Sequence, residues 1–484
     1  MLCSRKFSPL LKLYLAGHSV LLAISAASVL LAQDVSQQIS KIETGLTRRV
    51  QIKGQPVQKW TIAERLQHYH VPGVSIAVER DGTLAWPKGY GTATADGAAV
   101  TRETLFQAAS ISKVVSAMTA LRLVELGKLS LDEDVNIKLR SWKVPPSDSM
   151  QGEHVTLRRL LSHTAGTTVH GFAGYASGES VPTLPQLLAG AKPANSKPVR
   201  VDIKPGTQMR YSGGGYEVMQ QLVQDVTAKP YAEVVQELVL QPLGMTHSTY
   251  EQPLPERLRP AAATAYNSEG QAISGKWHTY PEQAAAGLWT TPSDLVKIIM
   301  ELQKPGRVLS EKTVGQMLTP VLDHYALGLQ LSDTEGRKAF LHSGANEGFR
   351  CMLFGYREGG QGAVVMTNGD NGSQLADEIL ASVAGTYGWP DFKTIEKTVA
   401  SVRPEKIASY AGVYEAPENF IVTVLADRGK LSVQPAGLPK SELLPQSEDT
   451  FFDPDGMVPD IHFERTKDGS LQLSGGGLVA KRTK

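Results

Sequence analysis

A chain of 484 residues is long enough for two or three domains, and its formal net charge of +1 gives it no excess with which to hold a polyanion. At 41% hydrophobic and 20% charged residues it has the make-up of an ordinary globular protein, which excludes a disordered or fibrous chain. No basic stripe runs along it, so nucleic acid is excluded as a partner on charge grounds.

Residues 1–32 read as a secretory signal: Arg5, Lys6 and Lys12 supply the positive start, and Leu13 to Leu31 is mostly apolar. The protein is therefore expected to be exported, periplasmic or secreted. The alternative is an uncleaved N-terminal anchor, because the apolar run is almost long enough to span a bilayer. No other membrane contact is expected. Cys3 precedes the apolar run, so it does not sit where a lipoprotein cysteine would, and Cys351 is the one cysteine of the mature chain. No intramolecular disulfide can form, and Cys351, inside the apolar run FRCMLFGY, reads as packing.

Residues 33–60 read as a helical lead-in. VPGVSIAVERDGTLAWPKGYG follows as two strands around an Asp81-Gly82 turn. An amphipathic helix comes next, with Val114, Val115, Met118, Leu121 and Val124 at helical spacing and Gly127 ending the run. The middle, 129–295, is mixed, with helical runs near 156–162, 216–227 and 230–240. Strands return at 338–368, and a helix at 373–387 closes the unit. Strands at both ends of a helical middle imply an α+β fold: one antiparallel sheet with flanking helices and an inserted helical subdomain. A break falls at about 390–403. Beyond it the period becomes two, and NFIVTVLADRGKLSVQPA and DIHFERTKDGSLQLSGGG each read as a hairpin. The expected organisation is a signal at 1–32, a main α+β domain at 33–395 and a small all-β barrel, lipocalin-like, at 403–484.

Ser110 and Lys113 form the single Ser-x-x-Lys of the chain, at the start of the predicted helix. Three residues make about one helical turn, so the two side chains share a face. A serine hydroxyl is a poor nucleophile, and an amine beside it can take the proton. A helix N-terminus adds N–H groups where an oxyanion would form. The pair points to acyl transfer through a covalent serine ester. No Gly-x-Ser-x-Gly elbow is present, and the scattered histidines include no HExxH or other metal spacing.

Two further segments extend the pattern. YSG at 211–213 lies about a hundred residues beyond SISK at 110–113, and HSG at 342–344 follows after another long interval. In order and spacing these resemble the serine β-lactamase and penicillin-binding-protein superfamily. The likeness is to the class C β-lactamase-like branch, with its esterases, D-aminopeptidases and DD-peptidases. LLSHTAG at 160–166, QPLGMTHSTY at 241–250 and AAAGLWTTPSDL at 284–295 add to the likeness.

The resemblance implies that Ser110 is the nucleophile, that Lys113 and Tyr211 share the proton traffic, and that His342 can supply positive field. It implies an oxyanion hole from the backbone N–H groups of Ser110 and Ala345, with Ser343 on the same strand and Gly344 allowing close approach to substrate. Gly213 stands where the family pattern has Asn, and His342 where class C β-lactamases have Lys; both changes lead away from a dedicated β-lactamase. His170 either touches substrate or packs, His163 orients a loop, and Glu347 belongs to the surface. No cofactor and no metal are implied. The expected substrate is a small-molecule or peptide acyl compound: a small ester, a D-amino-acid peptide or amide, or a peptidoglycan stem. The alternatives are a weak β-lactamase and a non-hydrolytic penicillin- or wall-binding protein. The barrel is expected to cap the site or to contact cell wall.

Overall fold

The computed structural model describes residues 33–417, 420–436 and 440–483; the expected signal segment lies outside them. Six strands make one antiparallel sheet, in the order Thr83–Gly91, Gly73–Arg80, Gln361–Thr367, Phe349–Tyr356, Arg337–Asn346, Gln330–Thr334. The first hairpin turns at Asp81 (φ 54°) and Gly82 (φ 73°), the two left-handed positions that a tight two-residue hairpin turn requires. Its strand Gly73–Arg80 then pairs with Gln361–Thr367, which joins the two ends of the domain across nearly three hundred residues. The helical middle is thus an insertion into a sheet assembled from distant segments, as the pattern implied.

Alternation along Gly73–Arg80 splits the core into two layers. Val74, Ile76 and Val78 face the terminal helices Ile62–His68 and Gly372–Tyr387, against Leu66, Leu375, Ile379 and Val383. Ala77 faces the other way, with Val364 and Met366, into the layer that holds helices Ser112–Glu125 and Pro292–Gln303.

Helix Ser112–Glu125 departs from its predicted amphipathic form. Ser112, Lys113, Ser116 and Thr119 are as buried as the apolar residues between them, so the helix runs through the centre of the domain. Its hydroxyls can be buried because each has a carbonyl to donate to: Ser112 to Ala109, Ser116 to Ala284 and Thr119 to Val115.

The C-terminal segment closes into a barrel of eight antiparallel strands running from Gly412–Ala416 to Leu478–Arg482, which pair with each other to complete it. Tyr410, Tyr414, Phe451, Phe463, Val433 and Leu473 fill the interior, with the Tyr410 and Phe463 rings stacked at 4.3 Å. The barrel interior is a packed core. The expected break before it is partly structured: Ile395–Lys397 pairs in parallel with Val50–Ile52.

The barrel docks against the terminal-helix layer. Asp455 takes Arg48 at 2.7 Å, Lys397 bonds Asp460, and Met457 packs against the terminal-helix core.

Candidate active site

Ser110 sits in a 3₁₀ turn, Ala109–Ile111, immediately ahead of the central helix. Ala109 has φ of 49°, a left-handed conformation that costs a residue with a side chain about 1–3 kcal/mol and must be held by its surroundings. It is held by the strand Arg337–Asn346, which lies directly against the turn. A methyl group on Gly344 would stand 2.2 Å from the Ala108 carbonyl oxygen, so only glycine permits this contact. Gly344 was expected to bring the strand close to substrate; it brings the strand close to the turn that carries Ser110. Asn346, at the strand's end, locks the pair by donating to Gln107 Oε1 (2.7 Å) and to the Ala286 carbonyl (3.1 Å).

Lys113, 2% exposed, reaches back one turn. Its Nζ donates to Ser110 Oγ at 3.0 Å and to the Ala285 carbonyl at 2.9 Å. The Tyr211 ring lies beside it, its centroid 5.0 Å from Nζ, and that of Tyr216 at 5.6 Å. Tyr211 arrives just before helix Gly213–Thr227, whose start is fixed by Ser212: its Oγ accepts the Gly215 N–H at 3.0 Å. His163 accepts the Ser212 N–H on Nδ1 at 3.1 Å, and its ring lies 4.2 Å from that of Tyr211. It therefore sets the Tyr211 loop, the role expected of it.

Strand pairing with Gln330–Thr334 stops at Leu341. From His342 onward the strand has a free edge beside Ser110. Ser343 and Ala345 point outward along this stretch, while His342, Gly344 and Asn346 point inward. Ser110, His170, Tyr211, His342, Ser343 and Ala345 line one cleft of about 510 Å³, together with Phe172, Met209, His324, Tyr325 and Gln330.

His342 was expected to lend positive charge. Burial, with a smaller contribution from Lys113, pushes it down to about 3, so it is neutral at ordinary pH. Its ring is also spoken for: Nδ1 meets the Ser343 carbonyl at 2.6 Å, which makes Nε2 the acceptor for the Tyr325 hydroxyl at 3.1 Å. Burial and Lys113 likewise hold His163 well below its ordinary value. No lysine or arginine side chain lines the cleft among the described residues.

Gly213 is not among the cleft-lining residues. It is buried at the helix start, where a Cβ would stand 2.9 Å from the Phe172 ring and 3.2 Å from the His170 carbonyl. Glu347 is exposed and lies outside the cleft, its backbone N–H donating to Tyr280. Cys351 is 4% exposed, and burial pushes its thiol up to about 12, in keeping with a packing role. Sequence reading missed Tyr325, Phe172, Met209 and the Ala285 carbonyl. The first three sit in no short motif. The one local hint was AAAGLWTTPSDL, whose alanines bring backbone close enough for Lys113 and Asn346 to reach it.

A serine and lysine on one turn, a tyrosine from a second segment and a glycine strand from a third define the serine hydrolases of the β-lactamase and penicillin-binding-protein superfamily. This chain belongs to the β-lactamase family, whose model matches residues 60–386. It is 27% identical over 375 residues to penicillin-binding protein 4 of Amycolatopsis lactamdurans, across 73% of this chain and 95% of that one. Among solved structures, the octameric penicillin-binding protein homologue of Pyrococcus abyssi superposes with a TM-score of 0.61 at 23% identity, across 87% of this chain and 98% of that one. The D-amino acid amidase of Ochrobactrum anthropi SV3 gives a TM-score of 0.56 at 21% identity, across 66% and 97%. These two likenesses are of fold.

Proposed function

We propose that the protein is an exported serine hydrolase that cleaves small, uncharged esters and amides through a Ser110 acyl-enzyme. The observation that carries the reaction class is the 3.0 Å contact between Lys113 Nζ and Ser110 Oγ at the wall of a cleft. As the free amine, Lys113 takes the hydroxyl proton while Ser110 Oγ bonds to the substrate carbonyl carbon. By way of Tyr211, whose ring lies 5.0 Å from Nζ, that proton passes from Lys113 to the departing alcohol or amine as the C–O or C–N bond breaks. Water then adds to the ester carbonyl and gives a proton to Lys113, which hands it to Ser110 Oγ as the ester bond breaks and the carboxylic acid is released. The backbone N–H groups of Ser110 and Ala345 hold the oxyanion in both halves. The amidase likeness supports an amide as one form of the substrate.

The cleft's lining supports an uncharged substrate. β-Lactams and D-Ala-D-Ala peptides carry a carboxylate, and a carboxylate taken out of water without a cation costs several kcal/mol. His342 is neutral and engaged by Tyr325. Phe172 and Met209 offer apolar wall instead.

The test is a substrate panel. Hydrolysis of p-nitrophenyl acetate and of N-acetyl-D-phenylalanine amide is expected, lost in Ser110→Ala and reduced at least about 100-fold in Lys113→Ala and in Tyr211→Phe. The kcat/KM for the ester should exceed that for nitrocefin and for a D-Ala-D-Ala peptide by about 100-fold or more. Comparable turnover of nitrocefin would overturn the uncharged-substrate reading. A single acylation with no turnover would make the protein a non-hydrolytic penicillin binder.

A further inference from the structure

Between the central helix and the Tyr211 helix lies a helix of four residues, Gln283–Ala286. So short a helix satisfies almost none of its own backbone groups, and its neighbours must do so. They do it in two parallel rungs. In the first, Glu217 Oε1 accepts the Ala285 N–H at 3.0 Å, and the carbonyl of Ala285 accepts Lys113 Nζ at 2.9 Å. In the second, Gln220 Oε1 accepts the Ala284 N–H at 2.7 Å, and the carbonyl of Ala284 accepts the Ser116 hydroxyl at 2.9 Å. Each rung is one helical turn from the other on both sides, because Glu217 and Gln220, like Lys113 and Ser116, are three residues apart.

We infer that Glu217 is a positioning residue for Lys113, acting through the Ala285 residue they share. The inference rests on the serine-hydrolase reading above. Glu217 is fully buried and touches neither Ser110 nor the cleft. It lies six positions beyond Tyr211 on the helix that Tyr211 introduces. The first rung therefore ties Lys113 Nζ to the helix that begins two residues after Tyr211, and so links the two proton-handling side chains. The second rung repeats the spacing at Ser116, where no reacting group is attached. Burial and the Glu282 carboxyl raise Glu217 well above the ordinary carboxylate range against the lowering pull of the Ala285 N–H and Lys113, and the rung uses a single oxygen of the side chain, Oε1. Glutamine, with the same carbonyl oxygen at the same reach, reproduces it.

The experiment measures covalent labelling of the full chain by a fluorophosphonate, followed by intact mass. Ser110 Oγ bonds to phosphorus, fluoride leaves, and the hydroxyl proton passes to Lys113. The serine-hydrolase reading fails if the wild-type chain is never labelled, and the inference is judged on chains that are. Glu217→Met should label about 10- to 100-fold more slowly at saturating probe, the loss expected from a general base held an ångström out of place. Glu217→Gln should label within twofold of wild type. Gln220→Met removes the second rung with a similar loss of melting temperature, and should label within about threefold of wild type. If Glu217→Met does not fold, Glu217→Ser takes its place with the same expected loss. Wild-type labelling in the folded Met or Ser variant overturns the inference. So does an equal slowing in Gln220→Met, because the effect would then be general loosening of the short helix.

Discussion

Gly213 shows how a single atom reverses a reading made from a motif. By pattern it stands where the family has Asn, and the missing amide leads the reading away from a dedicated β-lactamase. The structure gives the position another occupant. The 168–172 segment folds over the helix start, Gly213 N–H donates to the His170 carbonyl at 2.9 Å, and the Phe172 ring stands 2.9 Å from where a Cβ would be. Phe172 is also a wall of the cleft. Glycine and phenylalanine therefore belong together: one makes room for the other. Gly213→Asn alone is expected to lower the melting temperature by several degrees, the scale of about 1–3 kcal/mol for an overpacked site, and to reduce ester hydrolysis. Adding Phe172→Ala should recover most of the melting temperature, because the clash is with the mobile end of a ring. Thermal unfolding of the single and double variants checks this; a double variant no more stable than Gly213→Asn would place the clash in the His170 backbone instead.

The terminal helices show what binds elements that lie far apart in sequence. Ile62–His68 begins with a capping box at Thr61 and Glu64 and buries Ile62 and Leu66. Its Arg65 lies 2% exposed and meets Glu378 on helix Gly372–Tyr387 in a two-pronged pair, at 2.7 and 2.6 Å. The Tyr69 hydroxyl donates to the same carboxylate at 2.9 Å, and the Trp60 ring lies 4.5 Å from the guanidinium carbon. Arg65→Met alone should cost about 3–5 kcal/mol, since it leaves a buried carboxylate without its cation. Arg65→Met with Glu378→Leu should cost much less, because the desolvation penalty goes with the pair. Urea unfolding of the three chains measures the difference. A double variant as unstable as the single would assign the cost to packing against Trp60.

The same comparison marks what was legible in the sequence. The hairpin at Asp81-Gly82, the central helix and the strand containing HSG are each local strings with their own periodicity, and all three were read. Arg65 and Glu378 are 313 positions apart and carry no local signal. The site divides in the same way. Ser110, Lys113 and Tyr211 lie in short motifs. Tyr325, which engages His342, comes from a turn before the strand Gln330–Thr334, which was itself not predicted.

At the scale of the whole chain, the barrel and the cleft are separate. The barrel's partners are Arg48, Arg65 and His68, which converge on Asp455 from the terminal-helix layer, and Lys397, which bonds Asp460. No barrel residue lines the cleft among the described residues. Docking instead steadies the layer on which the sheet rests. Lys397 gives a direct handle on this, because its side chain is 11% exposed while Asp460 holds it. Trypsin can cut after Lys397 only when the barrel swings away and Ile395–Lys397 lifts from Val50–Ile52, so the cutting rate follows that open population. The Arg48–Asp455 pair is partly exposed and should contribute about 1 kcal/mol. Asp455→Ala is therefore expected to raise the rate of cutting at Lys397 about 5-fold while kcat/KM for p-nitrophenyl acetate stays within twofold of wild type. An unchanged cutting rate would mean that docking rests on Met457 and the other packing contacts. A fall in kcat/KM would mean that the terminal-helix layer passes barrel motion through the sheet to the strand that braces Ser110.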